Sequence, residues 1–482
     1  MAALKSLAKD TAVYGLSSII GRFLNYLLVP IYTTKLAAAS GGYGVITEMY
    51  SYTALLLVIL TFGMETTFFR FINKADERPR RVYSTALLLV SALSLVFLAA
   101  VLGFLPAVSS ALGYAAHPEY LAIMATIVAM DAIQAIPFAY LRYRRHALKF
   151  AALKMLFILL SIALNIVAFV VMDCRDVLYA FAINLACTAV VMVCFIPELR
   201  LARLHIDLPL ARRMLRYAWP LLLLGIAGIL NQTVDKMIFP HIVGGEEGRV
   251  QLGIYGASVK IAMIMAMITQ AFRYAYEPLV FAGAKGKDSA TLYAKGMKYF
   301  VIFTLLAFLA VIAYLDILKY IIGADYREGL KVVPIVMAAE ILMGVYFNLS
   351  FWYKLCDRTI WGAWCSAAGC VVLIAFNVVF IPSMGYMACA WAGVAGYGTA
   401  TLVSFVAGQH FYPIRYPWGS IAVYVVLAAF FYAVMALVPA AWPAWCRLGI
   451  NTLCLLAFAG HIVYHDLPLA SLPVVGKYFR KR

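Results

Sequence analysis

The chain has 482 residues, of which 65% are hydrophobic and only 13% are charged. A soluble domain carries about 25% charged residues, so this composition excludes a soluble enzyme or a soluble binding module. The formal net charge of +17 would by itself suggest a nucleic-acid partner, but the basic residues follow the loops of a membrane protein, and we expect no nucleic-acid binding.

Apolar runs of about 20 residues recur along the chain, each long enough to cross a hydrocarbon core of about 30 Å. We therefore predict an all-α integral membrane protein with about fourteen transmembrane helices. The predicted spans are 11–36, 43–71, 82–106, 119–141, 151–172, 177–197, 217–243, 253–281, 296–320, 331–355, 359–382, 385–411, 419–438 and 444–465.

The longest connecting loop, 198–216, follows the sixth span and includes an amphipathic stretch at 208–215. This loop predicts the boundary between two halves. We predict an N-terminal six-helix lobe at 1–205, a C-terminal six-helix lobe at 206–411, and two additional helices with a basic tail at 412–482.

An even number of spans in each half starts both halves on the same side of the membrane, so an internal repeat would be parallel. A short match supports such a repeat, because residues 20–25 align with residues 226–231. In addition, Gly44 opens the second span as Gly253 opens the eighth.

The distribution of Lys and Arg predicts the topology. When alternate loops are assigned to opposite sides, one side takes 26 of the 39 basic residues. The other side has only seven near its loops, namely Lys35, Arg175, Arg249, Lys319, Arg327, Lys331 and Arg447. By the positive-inside rule the first side is cytoplasmic, so both termini are predicted to be cytoplasmic.

Ionisable residues lie inside several predicted spans, where a charge costs at least about 2.5 kcal/mol. The seventh span holds Asn231, Asp235 and Lys236, and the eighth holds Lys260, Arg273 and Glu277. At a rise of about 1.5 Å per residue, Asp235 and Lys260 lie at the same depth and could pair across the hairpin. Arg273 and Glu277 are four residues apart, so they share one helical face.

The N-terminal half also carries polar residues within its spans. The first span has a stripe on one helical face, formed by Ser18, Arg22, Asn25 and Tyr32. The second span carries Glu48 near its outer end and Glu65 near its inner end, and the fourth carries Asp131 near its middle. These groups either form structural ion pairs, with Lys154 and Arg70 extending to an interface, or line a polar cavity.

Enzyme chemistry is not supported by the sequence. The predicted outer loops are short, and the chain contains no GxGxxG, Walker, HExxH or GxSxG motif. The nine Cys form no CxxC pair and no Cys/His cluster, so we expect no metal site and no cofactor. A planar guanidinium can bind two oxygens of a diphosphate, so arginines that line a cavity would suit an anionic cargo.

The sequence resembles the polysaccharide (O-antigen, Wzx-type) flippases of the multidrug/oligosaccharidyl-lipid/polysaccharide (MOP) exporter superfamily. The resemblance in sequence is carried by the first, second, seventh and eighth spans. Its motifs are Gly21-Arg22, Asn25, Leu28-Val-Pro-Ile-Tyr32, Tyr43-Gly44, Asn231, Asp235-Lys236, Gly253-Ile-Tyr-Gly256, Lys260 and Gln270-Ala-Phe-Arg-Tyr-Ala-Tyr-Glu-Pro278.

This resemblance implies two six-helix lobes around a central cavity that opens alternately to each side of a bacterial inner membrane. The implied cargo is an oligosaccharide on undecaprenyl diphosphate, with H⁺ or Na⁺ as a coupling ion and polysaccharide polymerase and other assembly proteins as partners. The resemblance implies that Arg22, Lys260 and Arg273 contact the cargo, and we add Asn25 and Asn231 as cargo-binding candidates. The resemblance implies Asp235 as a coupling or gating carboxylate, and we add the other ionisable residues within the spans, Lys236, Glu65, Glu277 and Asp131, as candidates for the same role.

Three other functions stay open at this point. A lipid II flippase and a drug/cation antiporter belong to the same superfamily, although a cation exporter should have a net-acidic cavity. A non-transporting membrane subunit of a polysaccharide assembly complex would have dispensable charges in its spans.

Overall fold

The computed structural model describes residues 26–74, 77–202, 206–283, 289–356, 358, 360–439 and 441–466. The prediction of an all-helical membrane protein is confirmed. Thirteen helices in the described part of the chain are long and apolar enough to cross a membrane, and they coincide with thirteen of the predicted spans. The remaining prediction, 11–36, lies mostly outside the described residues.

The chain forms two compact units. Unit 1 runs to Ala257 and also includes Gly323–Glu328 and Cys370–Ala392, and unit 2 comprises Ser258–Ile322, Gly329–Gly369 and the chain from Gly393 onward. These units follow spatial contacts. The division into lobes at residues 205 and 411 follows the sequence repeat, and it stays a prediction.

Unit 1 is built from ten complete helices and parts of others. Its helices are Leu28–Lys35 (α1), Gly42–Thr61 (α2), Met64–Ile72 (α3), Pro79–Gly103 (α4), Leu105–Ala111 (α5), Pro118–Tyr143 (α6), Ala147–Asn165 (α7), Val177–Cys194 (α8), Ile196–Leu199 (α9), Leu208–Val243 (α10) and the first part of Gly245–Gly283 (α11). A short 3₁₀ turn, Ala38–Ser40, precedes α2, and a π-helical segment, Ile166–Val171, continues α7.

Unit 2 contains the rest of α11 and the helices that follow it. They are Ser289–Ala313 (α12), Leu315–Leu318 (α13), Val333–Leu349 (α14), Phe351–Leu355 (α15), the start of Ile360–Met384 (α16), the later part of Tyr386–Phe411 (α17), Trp418–Leu437 (α18) and Ala444–His465 (α19). Two 3₁₀ segments, Lys319–Ile321 and Ala324–Val332, connect α13 to α14.

The second predicted span is two helices instead of one. Phe62 and Gly63 have φ values of 49° and 65°, so α2 ends and α3 begins at two consecutive left-handed residues. Glycine adopts this conformation without steric cost, whereas phenylalanine does so only where its surroundings impose it. The apolar pattern runs through both residues, which is why the sequence predicted one continuous helix.

The amphipathic stretch 208–215 is the beginning of α10 and not a separate loop element. The Asp207 carboxylate accepts a hydrogen bond from the Leu210 amide at 3.0 Å, which caps the helix, and Pro209 occupies the first turn. The helix then continues for 36 residues and carries Asn231, Asp235 and Lys236 toward its C-terminal end.

Each unit has a closely packed interior. In unit 1, Phe68 and Tyr83 pack with Met214 among α3, α4, α6 and α10. In unit 2, Phe300 and Phe458 belong to one cluster that joins α12 to α18 and α19. Because lipid tails are as apolar as these side chains, van der Waals packing accounts for this association, and it fixes the two additional C-terminal helices to unit 2.

Candidate functional site

Two consecutive ionisable residues in the second half of α10, Asp235 and Lys236, form an ion pair. The Lys236 ammonium nitrogen lies 3.0 and 3.1 Å from the two Asp235 carboxylate oxygens, and the Tyr255 hydroxyl donates a hydrogen bond to the same carboxylate at 2.9 Å. Only 10% of the Asp235 side chain and 17% of the Lys236 side chain is exposed. The pair is therefore neutral and mostly shielded, which lowers the cost of placing it within a membrane.

Asn231 lies one helical turn before Asp235, so the two side chains share a face of α10. Its amide nitrogen donates a hydrogen bond to the Ala227 carbonyl oxygen at 3.0 Å, and the side chain is partly buried. Lys260 lies on α11 in unit 2 and is also partly buried. Its predicted pairing with Asp235 would join the two units and stays a prediction.

A second buried carboxylate, Glu48 of α2, lies in unit 1 with its side chain fully inaccessible to solvent. The Tyr114 hydroxyl donates to Glu48 at 2.6 Å, and the Arg249 Nε atom lies 3.7 Å from the same carboxylate oxygen. Arg249 also donates to the Gly113 carbonyl oxygen at 2.7 Å and covers the Tyr114 ring, with its guanidinium carbon 4.0 Å from the ring centroid. Burial, together with the Glu48 charge, raises the pKa of the Tyr114 phenol, so this hydroxyl stays protonated and donates.

The start of α11 approaches α2 very closely at this cluster. A Cβ atom added to Gly253 would lie 3.0 Å from the Gly44 backbone nitrogen, and one added to Gly44 would collide with the Arg249 carbonyl oxygen. A Cβ atom added to Gly256 would likewise collide with the Thr47 side chain. The sequence identified Gly44 and Gly253 as equivalent positions of a repeat, but it gave no indication that Arg249 is the counter-charge of Glu48.

A third group of charges joins α3, α6 and α7. Arg142 donates to the Glu65 carboxylate at 2.5 Å. Asp131 interacts electrostatically with Lys154. This group contains two carboxylates and two cations, so it is neutral as a whole.

Tyr32 is the member of the predicted N-terminal stripe that the structure describes. It is buried, and its hydroxyl donates to the Asn165 side-chain oxygen at 2.8 Å, immediately before the π-helical segment of α7. Arg22 and Asn25, together with Ser18, lie outside the described residues. The Glu277 side chain also lies outside them, so its pairing with Arg273 stays a prediction.

In unit 2, Arg273 lies in a narrow cleft between α11 and the end of α14. Its guanidinium carbon is 5.1 Å from the Phe347 ring centroid, and the Lys354 ammonium is 5.2 Å from the Phe351 centroid. The described residues that line the cleft include these two cations and no carboxylate. The cleft volume is only about 10 Å³, enough for about one water molecule, so in this conformation the cleft cannot enclose a diphosphate.

Solved structures define the class of fold to which the chain is similar. The chain aligns over 93% of its length with 98% of a structure of the lipid II flippase MurJ in an inward closed conformation, with a TM-score of 0.75 and 13% identity. It also aligns over 81% of its length with 94% of an inward-facing multidrug resistance MATE family transporter of the MOP superfamily, with a TM-score of 0.65 and 16% identity. A MATE structure in the straight conformation has a TM-score of 0.61 and 16% identity over 84% of this chain and 95% of that one. The chain thus shares its fold with these MurJ and MATE structures.

The family is established by sequence. The chain belongs to the polysaccharide biosynthesis protein family, whose model matches residues 7–276. No curated protein matches the chain.

Proposed function

We propose that this protein is a flippase that moves an undecaprenyl-diphosphate-linked oligosaccharide from the cytoplasmic to the periplasmic leaflet of a bacterial inner membrane. The oligosaccharide would be the repeat unit of an O-antigen, capsule or exopolysaccharide. The observation that carries this proposal is the polysaccharide biosynthesis family match over residues 7–276, in a chain with the fold of a lipid II flippase. Transport would proceed by alternating access of two lobes, with both termini in the cytoplasm.

The arrangement of charges supports an anionic cargo. Asp235, Glu65 and Asp131 each interact with a cation of their own, so these carboxylates add no net negative charge to a polar path. The cleft at Arg273 adds a second cation, Lys354, and its described lining contains no acid. A diphosphate would be stabilised beside such cations, whereas a cationic drug would be repelled.

We assign cargo contacts to Arg22, Asn25, Asn231, Lys260 and Arg273. The remaining groups, Asp235, Lys236, Glu65, Glu277 and Asp131, would exchange partners during the transport cycle, and one of the carboxylates would bind the coupling H⁺ or Na⁺. A neutral pair such as Asp235–Lys236 suits this role, because protonation of the carboxylate would release the lysine.

The proposal is tested in a polysaccharide-producing bacterium that lacks its own copy of the gene. We expect Arg273→Ala and Lys260→Ala to reduce export of the lipid-linked repeat unit by roughly 10- to 150-fold each, since a hydrogen bond to a charged group contributes about 1.5–3 kcal/mol. Surface polysaccharide is measured by immunoblotting and the amount of flippase by membrane fractionation. The exposed Lys295→Ala variant is the matched control.

Normal surface polysaccharide in both variants would remove these residues from the cargo path. If the wild-type gene fails to restore polysaccharide but restores growth in cells depleted of their lipid II flippase, the cargo is lipid II. Rescue by all variants alike would favour a non-transporting subunit of an assembly complex.

A further inference from the structure

The part of unit 1 where α4 and α10 begin carries a large excess of positive charge. Residues 70–81 and 200–216, which lead into these two helices, contain ten Lys and Arg but only three Asp and Glu. This count covers every residue of both segments, so the excess does not depend on which side chains form ion pairs. Both segments belong to the predicted cytoplasmic side.

Ion pairs bring the two segments together. Arg213 of α10 donates a hydrogen bond to the Glu77 carboxylate, and Arg81 of α4 forms an ion pair with Asp207. Each carboxylate that the structure describes in these segments is therefore bound by an arginine of the other segment. The positive charges of the two segments are thus held near one another on the surface of unit 1.

Two further arginines, Arg212 and Arg216, lie one helical turn apart on α10, and both are exposed. Neither side chain forms an ion pair or a hydrogen bond with the described part of the chain. Like charges at this spacing share one helical face and destabilise the helix, so an anion held between them would stabilise it. Each planar guanidinium can bind two oxygens at once, which suits a phosphate.

Exposed apolar side chains share this face of α10 with the arginines. Leu208, Leu215 and Trp219 follow one another at helical spacing and are 75%, 37% and 54% exposed. One turn further, Leu223 is 52% exposed and lies within the predicted span 217–243. An exposed apolar face within a span contacts lipid tails, so lipid lies beside this face of the helix.

The arginines lie at the depth of lipid headgroups. Arg216 directly precedes the predicted span 217–243, and Arg212 lies about 8 Å before the start of that span at the helical rise. The headgroup region on each side of the hydrocarbon core is of similar thickness. Exposed Trp at such a helix end, here Trp219, also marks the interface between hydrocarbon and water.

The opposite face of the same helical turns is fixed to the protein. Leu210 and Met214 are fully buried, and they pack in one cluster with Phe68 and Tyr83. The Asp207 carboxylate caps the helix just before them. The exposed arginines therefore project from a packed helix and not from a mobile loop, which fixes their spacing before any ligand binds.

We propose that Arg212 and Arg216, with Trp219 beside them, bind the phosphate of an anionic phospholipid in the predicted cytoplasmic leaflet. The positive-inside rule accounts for cations on this side, but it does not require two arginines to share one helical face with Leu and Trp. The exposed apolar residues would contact the acyl chains of the same lipid. This surface faces lipid, so the proposal does not depend on what the protein transports.

The test uses the purified full-length protein and native mass spectrometry, which resolves each bound lipid. Phosphatidylglycerol and phosphatidylcholine are titrated separately. We expect phosphatidylglycerol to bind more tightly than phosphatidylcholine, whose choline cation would lie beside the arginines. The double variant Arg212→Gln/Arg216→Gln should weaken the tightest phosphatidylglycerol binding about 30-fold, at about 1 kcal/mol for each charge removed.

Arg144→Gln/Arg145→Gln is the matched control, because it removes two exposed arginines from the same predicted side that do not belong to α10. It should leave phosphatidylglycerol binding unchanged. Since Arg212 and Arg216 are exposed, their double variant should keep the wild-type melting temperature in detergent.

Three results would overturn the proposal. The first is equal phosphatidylglycerol binding by the wild type and by Arg212→Gln/Arg216→Gln. The second is an equal loss of binding in the control variant, which would show attraction to the overall charge of this side and not to this surface. The third is a loss of undecaprenyl diphosphate binding without a loss of phosphatidylglycerol binding, which would assign the surface to a prenyl diphosphate and not to a phospholipid.

Discussion

Charged residues within the spans are stabilised by partners that lie very near to them. Asp235 and Lys236 are consecutive, and consecutive residues do not face each other on a helix. The long lysine side chain nevertheless brings its ammonium to the carboxylate, and it also donates to the Gln232 carbonyl oxygen at 2.8 Å. Because these two mostly buried charges neutralise each other, the free-energy cost of placing them within a membrane is much lower than the sequence suggests.

Asp235→Ala should lower the free energy of unfolding by about 3 kcal/mol, because it leaves the mostly buried Lys236 ammonium without its counter-charge. The double variant Asp235→Ala/Lys236→Ala should recover part of this loss. Reversible denaturation in detergent micelles measures both. Asp173→Ala, which removes an exposed carboxylate, is the control and should change stability little. Equal losses in the single and double variants would show that the pair does not stabilise the fold.

The sequence predicted which residues are charged within the spans, but not all of their partners. Glu48 was placed near the end of its span, and Arg249 was counted only as a loop cation. Their proximity depends on how α11 packs against α2. Because these helices are far apart in the sequence, only the tertiary structure shows that the two residues pair. Sequence periodicity gives the face of a helix but not the identity of its neighbour.

At the scale of secondary-structure elements, helices in a membrane associate through close packing and not through a hydrophobic driving force. Small residues let helix backbones approach in a membrane, and Gly44 and Gly253 do this where α2 meets the start of α11. This contact places Arg249 beside Glu48, so the glycines and the buried ion pair depend on one another.

Gly44→Ala should lower the free energy of unfolding by about 1–3 kcal/mol, because the added methyl group would collide with the Arg249 carbonyl oxygen. Gly228→Ala is the matched control, since an added Cβ there has no neighbour within 4 Å, and alanine favours the helix. Thermal unfolding in detergent compares the two variants. If Gly44→Ala is as stable as Gly228→Ala, this helix contact is looser than the structure indicates.

Element positions were predictable where length and hydrophobicity determine them. Thirteen predicted spans correspond to thirteen helical segments of the described chain, because a run of about 20 apolar residues has few alternatives in a membrane. The break at Phe62 and Gly63 was not predicted, because the apolar pattern continues through it. The predicted span began later than α10 does. The first turns of α10 are polar on one face and so do not continue the apolar run, but Asp207 caps the helix before them.

At the scale of the whole molecule, the charge asymmetry and the fold favour the same type of protein. Placing 26 of the 39 basic residues on one side predicts a multi-pass protein with both termini in the cytoplasm. The family match and the fold shared with the MurJ and MATE structures both support the function proposed above. What sequence reasoning could not supply is the width of the Arg273 cleft, which is too narrow here to enclose a headgroup.

The most direct test of the central claim is flipping by the purified protein in vesicles. A fluorescent oligosaccharide on undecaprenyl diphosphate is placed in both leaflets, and a membrane-impermeant quencher measures the fraction that becomes accessible with time. We predict that the wild-type protein makes the inner-leaflet lipid accessible, that a proton or sodium gradient accelerates this, and that Arg273→Ala reduces it to near the rate of protein-free vesicles. Wild-type vesicles that flip the lipid no faster than protein-free vesicles, with or without a gradient, would contradict the account.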